Sequence, residues 1–321
     1  MSMRVLKPGL LTTFQDGGRH GHTASGIGHA GAMDEVALRL ANALVGNPPD
    51  APALEFGLIG PVLRFEHATT VALCGAAVDA RIGDQAVAGW QALHIEAGST
   101  LDCSRITHGA YACLAIAGGL LATRVLGSVA TDVNAGLGPR PLRSGDCIEF
   151  AHMCDGPPRR SRSDLAWTLD PRPWFDPDPG RPIRLVRGSD FDALDEPSRR
   201  VLFMHAFRVS AESNRVGSRF DGPRLTLATP LERISEAVAH GTLQLPPGGQ
   251  PIALMAEHPT TGGYPRIGQI AAIDLPRLAQ RRPGEAVCFE EIGIDEAQTR
   301  YLRRERELAR LCESIAMRLG R

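Results

Sequence analysis

The sequence predicts a mainly β protein with a few helices, organised as two β-rich units. Glycine (35) and proline (24) make up about 18% of the 321 residues, above an average of roughly 12%. Aromatic residues make up only 5%. Between residues 53 and 150, short apolar and β-branched runs recur about every ten residues, separated by glycine and aspartate. This spacing favours a barrel or a sandwich over a helical bundle.

The first unit is predicted to contain one helix among many strands. Asp34 is a suitable N-cap for a helix that reaches Val45, because apolar residues recur at helical spacing and Gly46 with two prolines ends the pattern. Strands are predicted in nine segments: Leu10–Gln15, Leu54–Ile59, Val62–Phe65, Thr69–Cys74, Val78–Ile82, Leu93–Ile95, Thr100–Ser104, Tyr111–Ile116 and Cys147–Phe150.

Residues 155–182 are rich in proline, arginine and serine, and this composition predicts a linker. A second β-rich unit follows, with a helix at Glu196–Met204. Its strands are predicted at Ile183–Val186, Arg224–Leu227, Gly241–Leu245, Ile252–Met255 and Ile267–Ile273. The predicted organisation is therefore a domain over 1–154, a linker over 155–182, a domain over 183–293 and a C-terminal helix over 294–321.

Two short segments, one in each unit, have similar sequences. The segment RSGDCIEF begins at Arg143, and the segment RPGEAVCF begins at Arg282. Both combine a glycine-containing turn with a strand-like ending. Two related barrels would produce such a repeated pattern.

The charge balance excludes several function classes. The net charge is −1, so no overall field attracts nucleic acid or an anionic membrane. Lys7 is the only lysine, which rules out a lysine-bearing phosphate loop and argues against a biotin attachment site on this chain. Fixed cations in a site must therefore be arginines, which bind carboxylates and phosphates as planar forks.

The remaining sequence signals predict a cytoplasmic protein without a metal. Seven scattered cysteines with no C-x-x-C pair fit a reducing compartment. The N-terminus lacks the apolar stretch of a signal peptide, and no run reaches the ~20 apolar residues of a membrane span. His20, His22 and His29 lie close together in the sequence, but no carboxylate stands at metal-site spacing, so they are interpreted as loop histidines.

The segment from Gly26 to Gly31 matches G-x-G-x-x-G, yet no buried parallel strand precedes it. It is interpreted as a glycine loop that leads into a helix. No G-x-S-x-G elbow occurs, so the sequence gives no support to a serine triad.

Three stretches combine glycines with amide, hydroxyl and guanidinium groups: residues 12–19, residues 213–222, and residues 250–252 together with 260–266. Glycine lets backbone amides approach a ligand, and the polar side chains can orient one. The same composition also suits tight turns capped by their own side chains. The residues alone leave both interpretations open.

These stretches resemble the signatures of the biotin-dependent carboxyltransferase family, also called allophanate hydrolase subunit 2 or KipA-like. The similar segments are GLLTTFQDGGRHGHTASGIGHAGAMDEVALRLANALVGN, SAESNRVGSRFDGP and GTLQLPPGGQPIALMAEHPTTGGYPRIGQI. The resemblance runs from about residue 5 to about residue 289 and implies two cyclophilin-like β-barrel domains plus a C-terminal helix.

The resemblance implies a chain that works with two partners, one KipI-like and one LamB/YcsF-like. The three-part assembly is similar to 5-oxoprolinase, which opens 5-oxo-L-proline to L-glutamate with ATP hydrolysis; the ATP is held by this chain or by a partner. Two alternatives stay open. One is transfer of a carboxyl group from carboxybiotin, with biotin on a separate carrier, to urea or a similar small amide. The other is a regulatory protein that antagonises a kinase inhibitor.

Under the 5-oxoprolinase hypothesis, the expected catalytic residues are Arg215, Tyr264 and Asp34, with Glu257 as a second candidate base. Arginines would neutralise phosphate or the substrate carboxylate, and backbone amides at Gly262 and Gly263 would hold an oxyanion. The residues expected to bind the small-molecule substrate are Gln15, Arg19, Asn214, Gln250, Thr260, Thr261, Gly262, Gly263 and Arg266.

The sequence departs from the family pattern at three places. Val216 and Ser218 replace the usual Met and Tyr, and the usual Gly-Ser-Arg-Ser-Thr run reads GSVAT from residue 127. The usual Asp-(Arg or Ala)-Gln before TTGGYP reads EHP from residue 257. These changes bear on the identity of the substrate.

Overall fold

The computed structural model describes residues 1–150, 167–176, 178, 180–229, 231 and 233–320. They divide into two units: unit 1 comprises Met1–Arg19, Asp34–Asp176 and Ala309–Arg321, and unit 2 comprises His20–Met33 and Pro177–Leu308. Within the predicted linker, residues 155–166, 177 and 179 lie outside the described residues, so the linker and the domain boundaries stay predictions. The predicted mainly β fold with a few helices is confirmed.

Unit 1 consists of two antiparallel sheets, with strand orders β11-β1-β4-β9-β6-β7 and β2-β3-β10-β5-β8. Apolar side chains from both sheets, including Phe14, Phe65 and Phe150, form one buried core. The strands are β1 (Ser2–Lys7), β2 (Thr12–Gln15), β3 (Ala53–Gly57), β4 (Val62–Phe65), β5 (Thr69–Val78), β6 (Ala80–Ile82), β7 (Gln85–Val87), β8 (Ala92–Ile95), β9 (Thr100–Asp102), β10 (Ile106–Ile116) and β11 (Cys147–Glu149).

Helix α1 (Glu35–Leu44) begins where the sequence predicts it. The Asp34 side chain accepts a hydrogen bond from the Ala37 backbone N–H at 3.0 Å, which satisfies one of the free donors of the first turn. Most residues of the helix are buried, and the chain turns at Gly46, which adopts a positive φ of 74°.

Unit 2 contains an eight-stranded sheet in the order β20-β13-β14-β17-β16-β19-β12-β21. A single residue, Cys288, separates its two edge strands in the sequence, so the edges lie close together and the sheet nearly closes into a barrel. A two-stranded sheet, β15-β18, is separate from it. The strands are β12 (Ile183–Arg187), β13 (Phe207–Val209), β14 (Gly217–Asp221), β15 (Glu236–Ala237), β16 (Thr242–Gln244), β17 (Ile252–Leu254), β18 (Thr261–Gly262), β19 (Arg266–Ile270), β20 (Ala286–Val287) and β21 (Phe289–Glu291).

The remaining helices are short apart from the last one. They are α2 (Glu196–Met204), α3 (Leu275–Ala279) and α4 (Ile294–Arg318), with single 3-10 turns at Thr23–Ser25, Phe191–Ala193 and Ala272–Asp274. Helix α2 has the predicted bounds, and α4 covers most of the predicted C-terminal helix.

One predicted strand, Arg224–Leu227, is wrong. Its backbone groups bond outside any ladder: Leu225 N–H donates to the Gly249 carbonyl at 2.9 Å, and Thr226 N–H donates to the Ser198 hydroxyl at 2.8 Å. The run is apolar at alternate positions, but helix α2 and a turn use the groups that a neighbouring strand would need.

The two similar segments, residues 143–150 and 282–289, form the same turn in their respective units. The Asp146 carboxylate accepts the Arg143 N–H at 2.8 Å, and the Glu285 carboxylate accepts the Arg282 N–H at 2.9 Å. The intervening glycines, 145 and 284, have positive φ of 90° and 86°. Only glycine adopts this conformation without strain, which explains its place in both segments.

Candidate functional site

The central feature of unit 2 is a buried ion pair between Arg215 and Glu257. Their side chains are 4% and 1% exposed, and Arg215 Nε donates to Glu257 Oε1 at 2.5 Å. The antiparallel pairing of β14 with β17 continues past the strand ends, since the Glu257 N–H donates to the Arg215 carbonyl at 2.8 Å. A second guanidinium nitrogen of Arg215 donates to the Gly31 carbonyl at 2.5 Å. Arg215 thus joins the glycine loop of the first signature to the segment preceding TTGGYP.

Two histidines adjoin this pair. His258 is 7% exposed, and its Nδ1 lies 2.7 Å from the Pro259 carbonyl oxygen. Its ring stacks near that of His240, with centroids 6.3 Å apart and planes inclined by 26°. Burial, assisted by the charges of His258, His29 and Arg215, lowers the pKa of His240 to about 4. Burial also lowers the pKa of His258, although its bond to Pro259 acts in the opposite direction.

Asn214 and Gln250, both predicted to bind substrate, engage local backbone. Asn214 Oδ1 accepts the Val216 N–H at 2.9 Å, which closes an Asx turn. Gln250 accepts the Gly222 N–H and donates to the Gly222 carbonyl, both at 3.1 Å. These two amides hold the second signature in shape, and their predicted contact with substrate stays a prediction.

The TTGGYP segment forms β18 and the turn after it. Thr261 and Gly262 pair with Ala237 and Glu236 of β15. Tyr264 is 47% exposed, and its hydroxyl makes no hydrogen bond within the described part of the chain. The predicted substrate residues Thr260, Thr261, Gly262 and Gly263 therefore lie with Tyr264 on one short segment.

Gln244 is a polar residue that the sequence reasoning missed. It is 5% exposed, and its Nε2 has no hydrogen-bond partner among the described residues. A Cβ on Gly262 would lie 2.5 Å from this nitrogen, so the glycine makes room for the buried amide. The available signal was a glutamine between two core leucines, 243 and 245, inside the third signature.

Arg266 belongs to a group of alternating charges. It pairs with Glu236 of β15, and its backbone N–H donates to Asp190 at 2.8 Å. Arg233 pairs with the same Asp190 and lies 3.9 Å from Glu236. Arg266 also lines a cavity of about 390 Å³, together with Gly188, Ser189, Ala237, Val238, Ala239, Thr242, Gly268 and Gln269.

In unit 1, Gln15 and Arg19 lie with the GSVAT segment. Gln15 is fully buried; its Nε2 donates to the Thr131 carbonyl at 3.0 Å, and its Oε1 has no partner among the described residues. Arg19 is also fully buried and donates to the Ala130 carbonyl. Asp16 accepts hydrogen bonds from the Ser128 hydroxyl at 2.5 Å and from the Val129 N–H at 2.8 Å. The first signature and GSVAT, more than a hundred residues apart, therefore form one buried polar cluster.

Asp34, a predicted catalytic residue, is 2% exposed and caps α1 through Oδ1. Burial raises the pKa of the neighbouring Cys74 thiol, and the charge of Asp34 raises it further. Asp34 is thus buried in unit 1, and its catalytic role stays a prediction.

Within the described ranges, no group of three or more His, Cys, Asp or Glu side chains is placed to hold a metal ion. None of the helices described combines the length and apolar character needed to cross a membrane. None of the six cysteines in the described residues forms a disulfide.

Comparisons with known proteins agree with the resemblance seen in the sequence. A family model described as carboxyltransferase domain, subdomain A and B, matches residues 25–291. The chain is 37% identical to the 5-oxoprolinase C subunit of Escherichia coli (strain K12), over 99% of this chain and 98% of that protein. It is 36% identical to the 5-oxoprolinase C subunit of Haemophilus influenzae, over 92% of each. Its fold matches the Kluyveromyces lactis urea carboxylase structure with a TM-score of 0.83 and 26% identity, over 96% of this chain and 29% of that one.

Proposed function

Because the chain belongs to the carboxyltransferase domain family, subdomains A and B, we propose that it is the C subunit of an ATP-dependent 5-oxoprolinase. The proposed complex hydrolyses 5-oxo-L-proline to L-glutamate while ATP is cleaved to ADP and phosphate. Its proposed partners are a KipI-like protein and a LamB/YcsF-like protein, the B and A subunits. The observation that carries the proposal is the similarity to two bacterial C subunits over nearly the full length of both chains.

The chemistry of the site suits this substrate. The amide carbon of a five-membered lactam is a poor electrophile, and phosphorylation of its oxygen by ATP would activate it. Arginines would then neutralise the phosphate or the substrate carboxylate. Arg266 lines an open cavity, whereas Arg215 is held rigidly by Glu257. The sequence has no lysine-bearing phosphate loop, so the proposal assigns the ATP phosphates to a partner protein or to arginines.

The position of Tyr264 just after β18 supports a role in substrate contact. Its side chain is 47% exposed and makes no hydrogen bond to a described residue, so its hydroxyl is available to orient a ligand. The neighbouring Gly262 and Gly263 lack side chains that would keep a ligand from the backbone.

The test is ADP formation that depends on 5-oxoproline in the complex reconstituted from all three subunits. Tyr264→Phe should raise KM or lower kcat by roughly tenfold, as expected for the loss of one hydrogen bond of about 1.4 kcal/mol. Tyr301→Phe on α4 is the matched control and should behave as wild type. Full activity in the absence of this chain would contradict the proposal.

A second candidate function is transfer of a carboxyl group from carboxybiotin to urea or a similar small amide. The fold match to a urea carboxylase favours it. Because Lys7 is the only lysine, the biotin would be on a separate carrier. Urea-dependent consumption of a carboxylated biotin carrier, without 5-oxoproline-dependent ADP formation, would favour this function over the first.

A further inference from the structure

The two bases predicted from the sequence already have partners in the structure. Asp34 Oδ1 accepts a hydrogen bond from the first turn of α1 at 3.0 Å. Glu257 Oε1 accepts from Arg215 Nε at 2.5 Å, and both side chains are buried. These contacts engage one oxygen of each carboxylate inside the protein. Lactam hydrolysis nevertheless requires a group that takes a proton from water.

His258, the residue after Glu257, has the geometry of such a group. A carbonyl oxygen can only accept a hydrogen bond, so the 2.7 Å contact with Pro259 places the proton of the neutral ring on Nδ1. Nε2 then carries the lone pair. It makes no hydrogen bond to any described residue, although the side chain is only 7% exposed. The ring is therefore oriented by Pro259, and the lone pair of Nε2 is not used by a described residue.

The surroundings of His258 keep it neutral. His240 stacks beside it, with centroids 6.3 Å apart. The other charged or titratable groups of this region are His29, Arg215 and Glu257. Burial lowers the pKa of both stacked rings, and the charge of His258 lowers the pKa of His240 further. Both rings are therefore held in their neutral form.

We propose that His258 is the general base of the site in unit 2. Its Nε2 takes a proton from a water molecule as the water oxygen forms a bond to the amide carbon of the substrate. The C–N bond then breaks, its electron pair goes to the nitrogen, and the nitrogen takes the proton from Nε2. His258 returns to its neutral form, and one water has been added across the amide. With the lactam oxygen phosphorylated by ATP, this ring opening leaves an acyl phosphate. A second water attacks the acyl carbon, the bond to the phosphate oxygen breaks, the protons of that water pass to the phosphate and to solvent, and the carboxylate of L-glutamate remains. This inference rests on the proposed function.

The test compares wild type, His258→Gln and His205→Gln in the complex reconstituted from its three subunits. For His258→Gln, kcat should fall by about 10²-fold or more, the range of general-base catalysis, with a much smaller change in KM. Wild-type kcat should fall in acid with a midpoint below the ordinary histidine value of about 6.5, because burial lowers the pKa of His258. This acid limb should be absent from the residual activity of the variant. His205 is exposed on the surface after α2. The His205→Gln complex should therefore keep the wild-type kcat and the same loss of activity in acid.

Two results would overturn the inference while leaving the proposed function in place. One is a His258→Gln complex with kcat within about twofold of wild type and an unchanged acid limb. The other, which needs no variant to fold, is ¹⁵N NMR of the full-length chain showing the His258 proton on Nε2. A wild-type complex that forms no ADP with 5-oxoproline would overturn the proposed function, and the role of His258 with it.

Discussion

Gly138 and Arg19 are in contact in the buried cluster of unit 1. A Cβ on residue 138 would lie 2.9 Å from Arg19 Nη2, and closer still to the Ala130 carbonyl that Arg19 binds. Residue 138 also has a positive φ of 76°. The burial of the Arg19 guanidinium therefore depends on the absence of a side chain more than a hundred positions further along the chain.

Replacing this glycine should destabilise unit 1. Gly138→Ala adds both backbone strain and a clash, whereas Gly119→Ala adds strain alone, because Gly119 has a φ of 79° and a Cβ there would meet nothing within 4 Å. The free energy of unfolding should fall by about 1–3 kcal/mol more for Gly138→Ala than for the control. Urea denaturation of both variants measures this difference, and equal losses would contradict the assigned contact.

Unit 2 should lose more stability when one partner of its buried ion pair is removed than when both are replaced by apolar residues. Glu257→Gln leaves the Arg215 guanidinium buried without its counter-charge, and should cost about 3–5 kcal/mol of stability. Combining Arg215→Met with Glu257→Leu should cost less than Glu257→Gln alone. Arg300→Gln, which breaks an exposed pair with Glu296, is the control and should cost less than about 0.5 kcal/mol. Urea denaturation measures these losses, and a double variant that loses as much stability as Glu257→Gln, or more, would argue against a coupled pair.

Replacing Asp16 by asparagine should destabilise unit 1. Its two oxygens accept hydrogen bonds from Ser128, Val129 and Gly18. Asp16→Asn would turn an NH₂ group toward one of these donors and should cost about 1.5–3 kcal/mol, since bonds to a charged acceptor are strong. Asp84→Asn changes an exposed carboxylate and should be neutral. A stability of Asp16→Asn equal to that of the Asp84 variant in thermal unfolding would refute this role.

Asp274 should make unit 2 sensitive to acid. Burial by itself would raise the pKa of this fully buried carboxyl, but hydrogen bonds from Arg184 and the charges of Arg184 and Arg277 lower it overall. A lowered folded-state pKa stabilises the protein fully above the unfolded value of about 3.9, and this contribution is lost as the pH falls through the folded-state pKa.

The corresponding measurement is the free energy of unfolding from about pH 6 down to pH 2.5 in wild type and in Asp274→Asn. The variant should be less stable at pH 6 and should lose stability less steeply in acid. Parallel curves for the two proteins would show that Asp274 titrates alike in the folded and unfolded states.

The local elements of this protein were accessible from the sequence. The N-cap Asp34, the bounds of α2 and the turn shared by residues 143–150 and 282–289 each depend on groups within a few positions of one another. The strand Val62–Phe65 was predicted with its observed bounds because it is a short, mainly apolar run that directly follows a glycine and a proline. The two-residue strands Glu236–Ala237 and Thr261–Gly262 gave no such signal, since they are too short for a period to appear.

The candidate sites were predicted only as sets of residue types. That Arg215, Asn214, Gln250 and the TTGGYP segment are special could be inferred from glycine-backed polar clusters and from the family resemblance. Which of them stabilise turns and which remain available could not be inferred, because that depends on pairing between distant segments. From the sequence, His258 was interpreted only as a departure from the family pattern, and Gln244 only as a residue of a predicted strand.

Composition, periodicity and capping residues are enough to establish the mainly β class, the first helix and the exclusion of a lysine-bearing phosphate loop. Only the folded chain establishes that Glu257 neutralises Arg215, that Arg215 reaches Gly31 184 positions away, and that Ser128 binds Asp16. The difference arises because a buried charge or hydroxyl is satisfied by whichever partner the folded sheets bring within about 3 Å. That partner is chosen by strand order and register, which no local pattern encodes.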